Sequence, residues 1–166
     1  MKIEIRDIEI ADWSTIARIY QLGITTEIAT FETEIPSWSA WNDIHLQSCR
    51  FVALLENVIV GWAALSPVSS RCVYGGVAEV SVYVDTNYSR KGIGTKLLQE
   101  LIGRSEKEGF WTLQSGIFPE NKASIQLHKK LGFREIGYRE RIGKMKNGIW
   151  RDNIILERRS KIIGMD

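Results

Sequence analysis

The 166 residues are 44% hydrophobic and 25% charged, with a formal net charge of +2, the profile of one globular domain large enough to bury a core. So small a charge does not by itself imply a polyanionic partner, and any basic site is local; no stretch approaches the roughly 20 apolar residues that span a bilayer, and the opening MKIEIRD lacks a signal-peptide pattern. Cys49 and Cys72 are the only cysteines and have no metal-ligand spacing, so the expectation is a cytoplasmic protein with no metal, no membrane anchor and no nucleic-acid partner.

In chain order, Lys2–Arg6 alternates as a short strand, and Asp12 is placed to cap a helix whose Ile16, Ile19 and Tyr20 share a face and which Gly23 would end. Ile24–Pro36 is a Thr- and Glu-rich stretch. Ser37 or Ser39 then caps a second helix carrying Trp41, Ile44 and His45; with no motif around it, His45 reads as a structural group. Phe51–Glu56 and Val58–Leu65 form a predicted hairpin that turns at Glu56-Asn57. Pro67–Gly76 breaks the pattern with Ser69, Ser70, Arg71, Tyr74 and a Gly75-Gly76 pair, a polar loop of the kind that carries substrate contacts.

The stretch Ala78–Gly94 organises the rest. Val80, Val82 and Val84 fall on one face of an extended segment and Glu79, Ser81 and Tyr83 on the other, so one face packs and the other can meet a ligand. After a turn at Asp85-Thr86-Asn87, Arg90-Lys91-Gly92-Ile93-Gly94-Thr95 opens a helix with the apolar stripe Ile93, Leu97, Leu98, Leu101, Ile102. Free N–H groups at such a helix start, with two cations and two glycines beside them, suit a phosphate. By itself the pattern equally describes an ordinary tight turn, and it is neither a P-loop nor a dinucleotide fingerprint.

Ile93–Glu108 is expected to be helical with Gly109 as its C-cap, and Trp111–Ile117 to be a strand. Asn121 caps a helix bearing Ser124, Leu127 and His128 and ended by Gly132. Strands at Phe133–Ile142 and Trp150–Leu156 flank a turn at Lys146-Asn147-Gly148, and the charged tail from about 158 to 166 is expected to fray. No repeat or linker divides residues 1–166, which form a single domain. Trp62, Tyr83, Trp111 and Trp150 read as packing residues, and Cys72 has no neighbour in sequence that would activate it as a nucleophile.

RKGIGTKLL together with NKASIQLHKKLGF resembles the Gcn5-related N-acetyltransferase superfamily. TFETEIP at Thr30–Pro36, EVSVYV at Glu79–Val84, SIQLHKKLGF at Ser124–Phe133 and GIWRD at Gly148–Asp152 are similar to its phosphinothricin and methionine-sulfoximine acetyltransferase branch. The resemblance implies an α/β (α+β) domain: a mixed, mostly antiparallel sheet flanked by helices, whose splayed central strands bind acetyl-CoA. It also implies a small primary amine as acceptor, a homodimer, and a resistance-type role.

On that resemblance the backbone of Val82, Tyr83 and Val84 bonds the pantetheine arm, Arg90 to Thr95 (Arg90, Lys91, Gly92, Ile93, Gly94, Thr95) cradle the pyrophosphate, and Asn121 contacts the arm. Ser89 departs from the Arg or Gln usual at the first loop position. Glu79 is the implied base, acting directly or through a water, and His128 the implied acid, base or substrate donor. Phe31, Glu32, Ser81 and the 69–74 loop with Tyr74 would line the acceptor pocket, with Trp150 and Asp152 closing or supporting it. Arg71 is either a clamp for an acceptor anion or a solvated loop residue.

Overall fold

The computed structural model describes residues 2–166. In order come β1 (Ile3–Asp7), α1 (Trp13–Thr25), α2 (Trp38–Ile44), β2 (Arg50–Leu55), β3 (Val58–Pro67), β4 (Val77–Val84), α3 (Ile93–Lys107), β5 (Thr112–Ile117), α4 (Lys122–Lys130), β6 (Arg134–Lys144) and β7 (Trp150–Arg159). The strands make one seven-stranded sheet in the order β1-β2-β3-β4-β5-β7-β6. Every neighbouring pair is antiparallel except β4–β5, which is parallel, so the sheet is mixed and mostly antiparallel as expected.

Alternation along β4 sorts the two cores. Ala78 and Val80 join Leu97, Leu98 and Leu101 of α3 on one face of the sheet, while the opposite face carries Ile16, Ile19 and Tyr20 of α1 with Trp41 and Trp62. The β2–β3 turn has its two central residues, Glu56 and Asn57, at φ of 50° and 65°, the left-handed pair that matches strand twist in a two-residue hairpin. Ser37 is the residue that caps α2, its hydroxyl accepting the Ala40 N–H at 3.2 Å.

Three local expectations change. Gly23 does not end α1, which continues to Thr25; a Cβ there would stand 2.8 Å from the Tyr83 ring, so close approach to β4 is what requires glycine. Asp12 has helical backbone and caps nothing forward. Its carboxylate instead accepts the Arg6 guanidinium at 2.7 and 2.8 Å and the Glu9 N–H at 2.8 Å, tying β1 to the start of α1. The tail is ordered further than its charge suggests: β7 runs to Arg159, Arg158 pairs with Glu106 at 3.0 Å, and the Arg159 guanidinium donates to the carbonyls of Ser160 and Ile163.

Candidate active site

Pairing between β4 and β5 is confined to Val77–Glu79 against Thr112–Gln114, although β4 continues to Val84 and β5 to Ile117. The two strands therefore part in the middle of the sheet. On the other side of β4 the register with β3 runs unshifted from Ala78 to Val84, and the Asp85 N–H donates to the Val60 carbonyl at 2.8 Å. Bonded and non-bonded pairs alternate in an antiparallel ladder, so Ser81 and Tyr83 spend their backbone groups on β3. The N–H and C=O of Val82 and Val84 turn toward the cleft. Of the three backbones expected to meet a pantetheine arm, that of Tyr83 is thereby directed away from it.

A cavity of about 330 Å³ fills this cleft and continues through the sheet. Its lining on the α1–α2 side includes Phe31, Glu32, His45, Trp62, Glu79 and Ser81; on the α3–α4 side it includes Asn121, Ser124 and His128. Two ligands can therefore meet between the strands from opposite faces. Phe31 stands edge-on to Phe118 with ring centroids 4.7 Å apart, forming an apolar wall. Glu79 is half-buried and takes a long hydrogen bond from Gln114 Nε2 at 3.4 Å, which leaves its carboxylate acceptor capacity for a ligand or water.

His128 is 2% exposed. Its Nδ1 lies 2.7 Å from the Ser124 carbonyl oxygen; a carbonyl only accepts, so Nδ1 carries the proton and Nε2 the lone pair. That Nε2 is buried without a hydrogen-bond partner. Burial pushes the His128 pKa below its usual value, with the Ser124 carbonyl partly opposing, so the ring is neutral at neutral pH. A buried, unpartnered imidazole nitrogen against a cavity is a group reserved for chemistry or for a ligand.

At the cofactor end, Gly92 has φ of 78° as the N-cap of α3, and a Cβ on it would meet nothing within 4 Å, so its need is conformational. Gly94 has a different reason. A Cβ there would press on Leu127 of α4 at 3.1 Å, so this glycine sets helix–helix spacing rather than room for an anion. The first helical bond is from Lys96 to Gly92, leaving the N–H groups of Ile93, Gly94 and Thr95 free at the positive end of the helix dipole. Arg90 and Lys91 are exposed beside them, Lys91 resting over the Tyr88 ring at 5.1 Å. Free helix amides, two cations and two unpaired strand residues suit a pyrophosphate joined to an extended amide arm. Ser89 turns its hydroxyl back to the Thr86 carbonyl at 2.8 Å and serves the turn itself.

Four expected residues are not brought to the cavity. Arg71 and Tyr74 are exposed, the Arg71 guanidinium lying 5.6 Å from the Tyr74 ring centroid, and neither lines the cavity. Trp150 is 46% exposed between Arg141 and Lys144, at the outer end of the β6–β7 hairpin. Asp152 accepts the Tyr138 hydroxyl and, at 2.7 Å, the Arg141 N–H, so it is committed within that hairpin. Three other residues reach the site region that no motif singles out. His45 is buried and lines the cavity; the Trp41/His45 spacing of four, which stacks the two rings, is the one hint the chain carries. Asn153 also lines it, its carboxamide lying where a Cβ on Gly116 would be, 2.8 Å from Nδ2. Arg151 braces the Phe118 wall.

The chain is 31% identical over 154 residues to phosphinothricin N-acetyltransferase of Streptomyces viridochromogenes, covering 90% of this chain and 84% of that one. It is 33% identical over 159 residues to an L-methionine sulfoximine/L-methionine sulfone acetyltransferase of Pseudomonas aeruginosa, covering 92% and 91%. The crystal structure of a phosphinothricin acetyltransferase from Sinorhizobium meliloti in complex with acetyl-CoA superposes with a TM-score of 0.89 at 30% identity, over 100% of this chain and 92% of that one. The acetyltransferase (GNAT) family matches residues 6–133, and the chain belongs to that family.

Proposed function

We propose that the protein transfers acetyl from acetyl-CoA directly to the primary amine of a small amino-acid-like acceptor of the phosphinothricin, methionine sulfoximine or methionine sulfone type. The observation that carries this reading is the cavity that passes between β4 and β5, open to Glu79 on one face and to His128 on the other. Acetyl-CoA, bound along Val82 and Val84 with its pyrophosphate at the start of α3, supplies an activated acyl group. The acceptor enters from the α1–α2 side, against Phe31, Glu32 and Ser81.

The chain's own groups then divide the work. The amine attacks in its neutral form and its nitrogen sheds one proton as it bonds the acetyl carbon; Glu79 accepts that proton, directly or through a water. The Val82 N–H, turned into the cleft, is the donor available to a developing oxyanion. His128, neutral with a bare Nε2, starts the cycle as a proton acceptor on the cofactor side and becomes a donor only after a proton reaches it. Holding both substrates in one cleft supplies the proximity that a bimolecular reaction in water lacks.

The relatives named for phosphinothricin and methionine sulfoximine support the acceptor class; a resistance-type role in the cytoplasm is part of the same proposal. A homodimer fits the outer β6–β7 hairpin, where Ile136, Tyr138, Ile142, Ile149 and Trp150 are all exposed; sedimentation of the purified chain as a monomer would remove that part. The test of the activity is CoA-thiol release from acetyl-CoA across phosphinothricin, methionine sulfoximine, methionine sulfone, free amino acids, polyamines and short peptides. Release confined to the first three supports the acceptor assignment; release only with other amines overturns it.

A further inference from the structure

His45 is a buried titratable group that lines the cavity and for which the mechanism above has no use. It is 9% exposed and follows α2 directly. Its Nδ1 lies 2.7 Å from the Trp41 carbonyl oxygen, so, by the same reasoning as for His128, Nδ1 carries the proton and Nε2 the lone pair. The ring is stacked on Trp41 at 4.2 Å and stands edge-on to Trp62 at 6.3 Å, which fixes its plane as well as its tautomer. Nδ1 is committed to the helix, so Nε2 is the ring nitrogen that His45, as a lining residue, can offer to a ligand in the cavity. Nε2 has no hydrogen-bond partner among the described residues and, unlike His128 Nε2, is not fully sealed from solvent.

Its position relative to Glu79 follows from the register. The Leu46 N–H donates to the Leu65 carbonyl at 2.8 Å, which seats His45 beside Ser66. Ser66 pairs directly with Glu79 across β3 and β4, and Ser66, His45 and Glu79 all line the cavity. Burial, aided by the nearby Arg50 charge, holds the His45 pKa below its usual value, with the Trp41 carbonyl opposing.

We infer that His45 Nε2 is a binding residue for the acceptor, taking a hydrogen bond from the N–H that the acceptor amine keeps through the reaction. The inference rests on the proposed acetyl transfer to a primary amine. As the amine nitrogen bonds the acetyl carbon and the carbon–sulfur bond breaks, the thiolate leaves and the nitrogen bears two protons. One goes to Glu79; the other remains in the product amide. A neutral acceptor suits the retained proton, because it orients the nitrogen lone pair without competing for the proton that must leave. The partner is thus a neutral primary amine, and the positive charge that develops on nitrogen in the transition state makes this a charge-assisted bond.

Two substitutions separate binding from scaffolding. His45→Asn keeps a donor where Nδ1 meets the Trp41 carbonyl and removes Nε2; His45→Gln places an acceptor near Nε2 and gives up the Trp41 bond. The experiment measures kcat/KM for the amine best used by the wild type, KM for acetyl-CoA, and the melting temperature of each ligand-free protein. The expected result is a loss of about 10- to 100-fold in kcat/KM for the amine with His45→Asn, a smaller loss with His45→Gln, and an acetyl-CoA KM unchanged in both. The reverse order, with the glutamine variant losing more activity and more melting temperature, means that His45 only holds α2 and overturns the inference; so does a loss confined to acetyl-CoA. If the wild type uses a primary amine outside the amino-acid analogues, the acceptor assignment fails while the same comparison on that amine still decides the role of His45. Turnover of no amine at all overturns both.

Discussion

The guanidinium of Arg151 lies over the ring of Phe118, 4.2 Å from its centroid. The same side chain donates to the Glu27 carbonyl at 2.8 Å and to Glu120 at 3.2 Å. One strand residue thus fastens β7 to the loop after α1 and to the loop before α4, and Phe31 closes the cluster against Phe118. These contacts hold the apolar wall of the acceptor side without touching the reacting atoms.

Arg151→Met should therefore act on acceptor binding. A stacked cation is worth about 0.5–2 kcal/mol, so KM for the amine should rise by roughly tenfold, with kcat and the acetyl-CoA KM changing less. Initial-rate kinetics with both substrates varied checks this; a fall in kcat at unchanged KM would show that the wall takes part in the chemical step.

Glu79→Gln keeps the size of the side chain and removes its basicity. The expected loss in kcat is about 10²–10⁴, the usual range for a general base, with acetyl-CoA binding intact by thermal shift or calorimetry. Retention of more than half the rate would move the base elsewhere.

Gly76 tests the seam where β4 begins. A Cβ there would stand 2.1 Å from the Trp111 ring, a side chain that cannot swing aside as a flexible chain end would. Gly76→Ala should destabilise by about 1–3 kcal/mol, the usual cost of overpacking, and lower the melting temperature by several degrees. Gly103→Ala, on α3 where a Cβ meets nothing within 4 Å, should instead raise it slightly.

Stability should also depend on pH through the two histidines. Both folded-state pKa values lie below the unfolded value of 6.5, mainly because burial disfavours the charged form. Above pH 6.5 both rings are neutral in either state and the full stability is present. As pH falls below 6.5 the unfolded chain takes up protons that the folded one resists, so stability declines until the folded pKa values are passed. Melting curves from pH 7.5 to 5 read this directly, and His128→Asn should flatten the slope. A wild-type melting temperature that is constant or rising over that range contradicts the assignment.

What could be read in the sequence was local. The β4 alternation, the Glu56-Asn57 turn and the Ser37 and Asn121 caps each depend on a few adjacent residues, and they appear where expected. The parting of β4 from β5 is different, because no residue of either strand encodes it; only the resemblance of whole motifs pointed there. His45, Asn153 and Arg151 were invisible for the same reason. Each acts across strands or helices far apart in the chain, as in the 124-residue separation between Arg151 and Glu27. Trp150 and Asp152 differ in the opposite sense: their motif is local, but their contacts in the structure lie within the β6–β7 hairpin and not along the cavity.

The measurement that bears most directly on direct transfer through the cleft is the two-substrate initial-rate pattern, taken with the preferred amine and acetyl-CoA and joined to the intact mass of the protein after acetyl-CoA alone. A ternary complex predicts intersecting double-reciprocal lines and an unmodified mass. Parallel lines together with a protein heavier by one acetyl group, lost on adding amine, would show an acyl-enzyme and contradict the account.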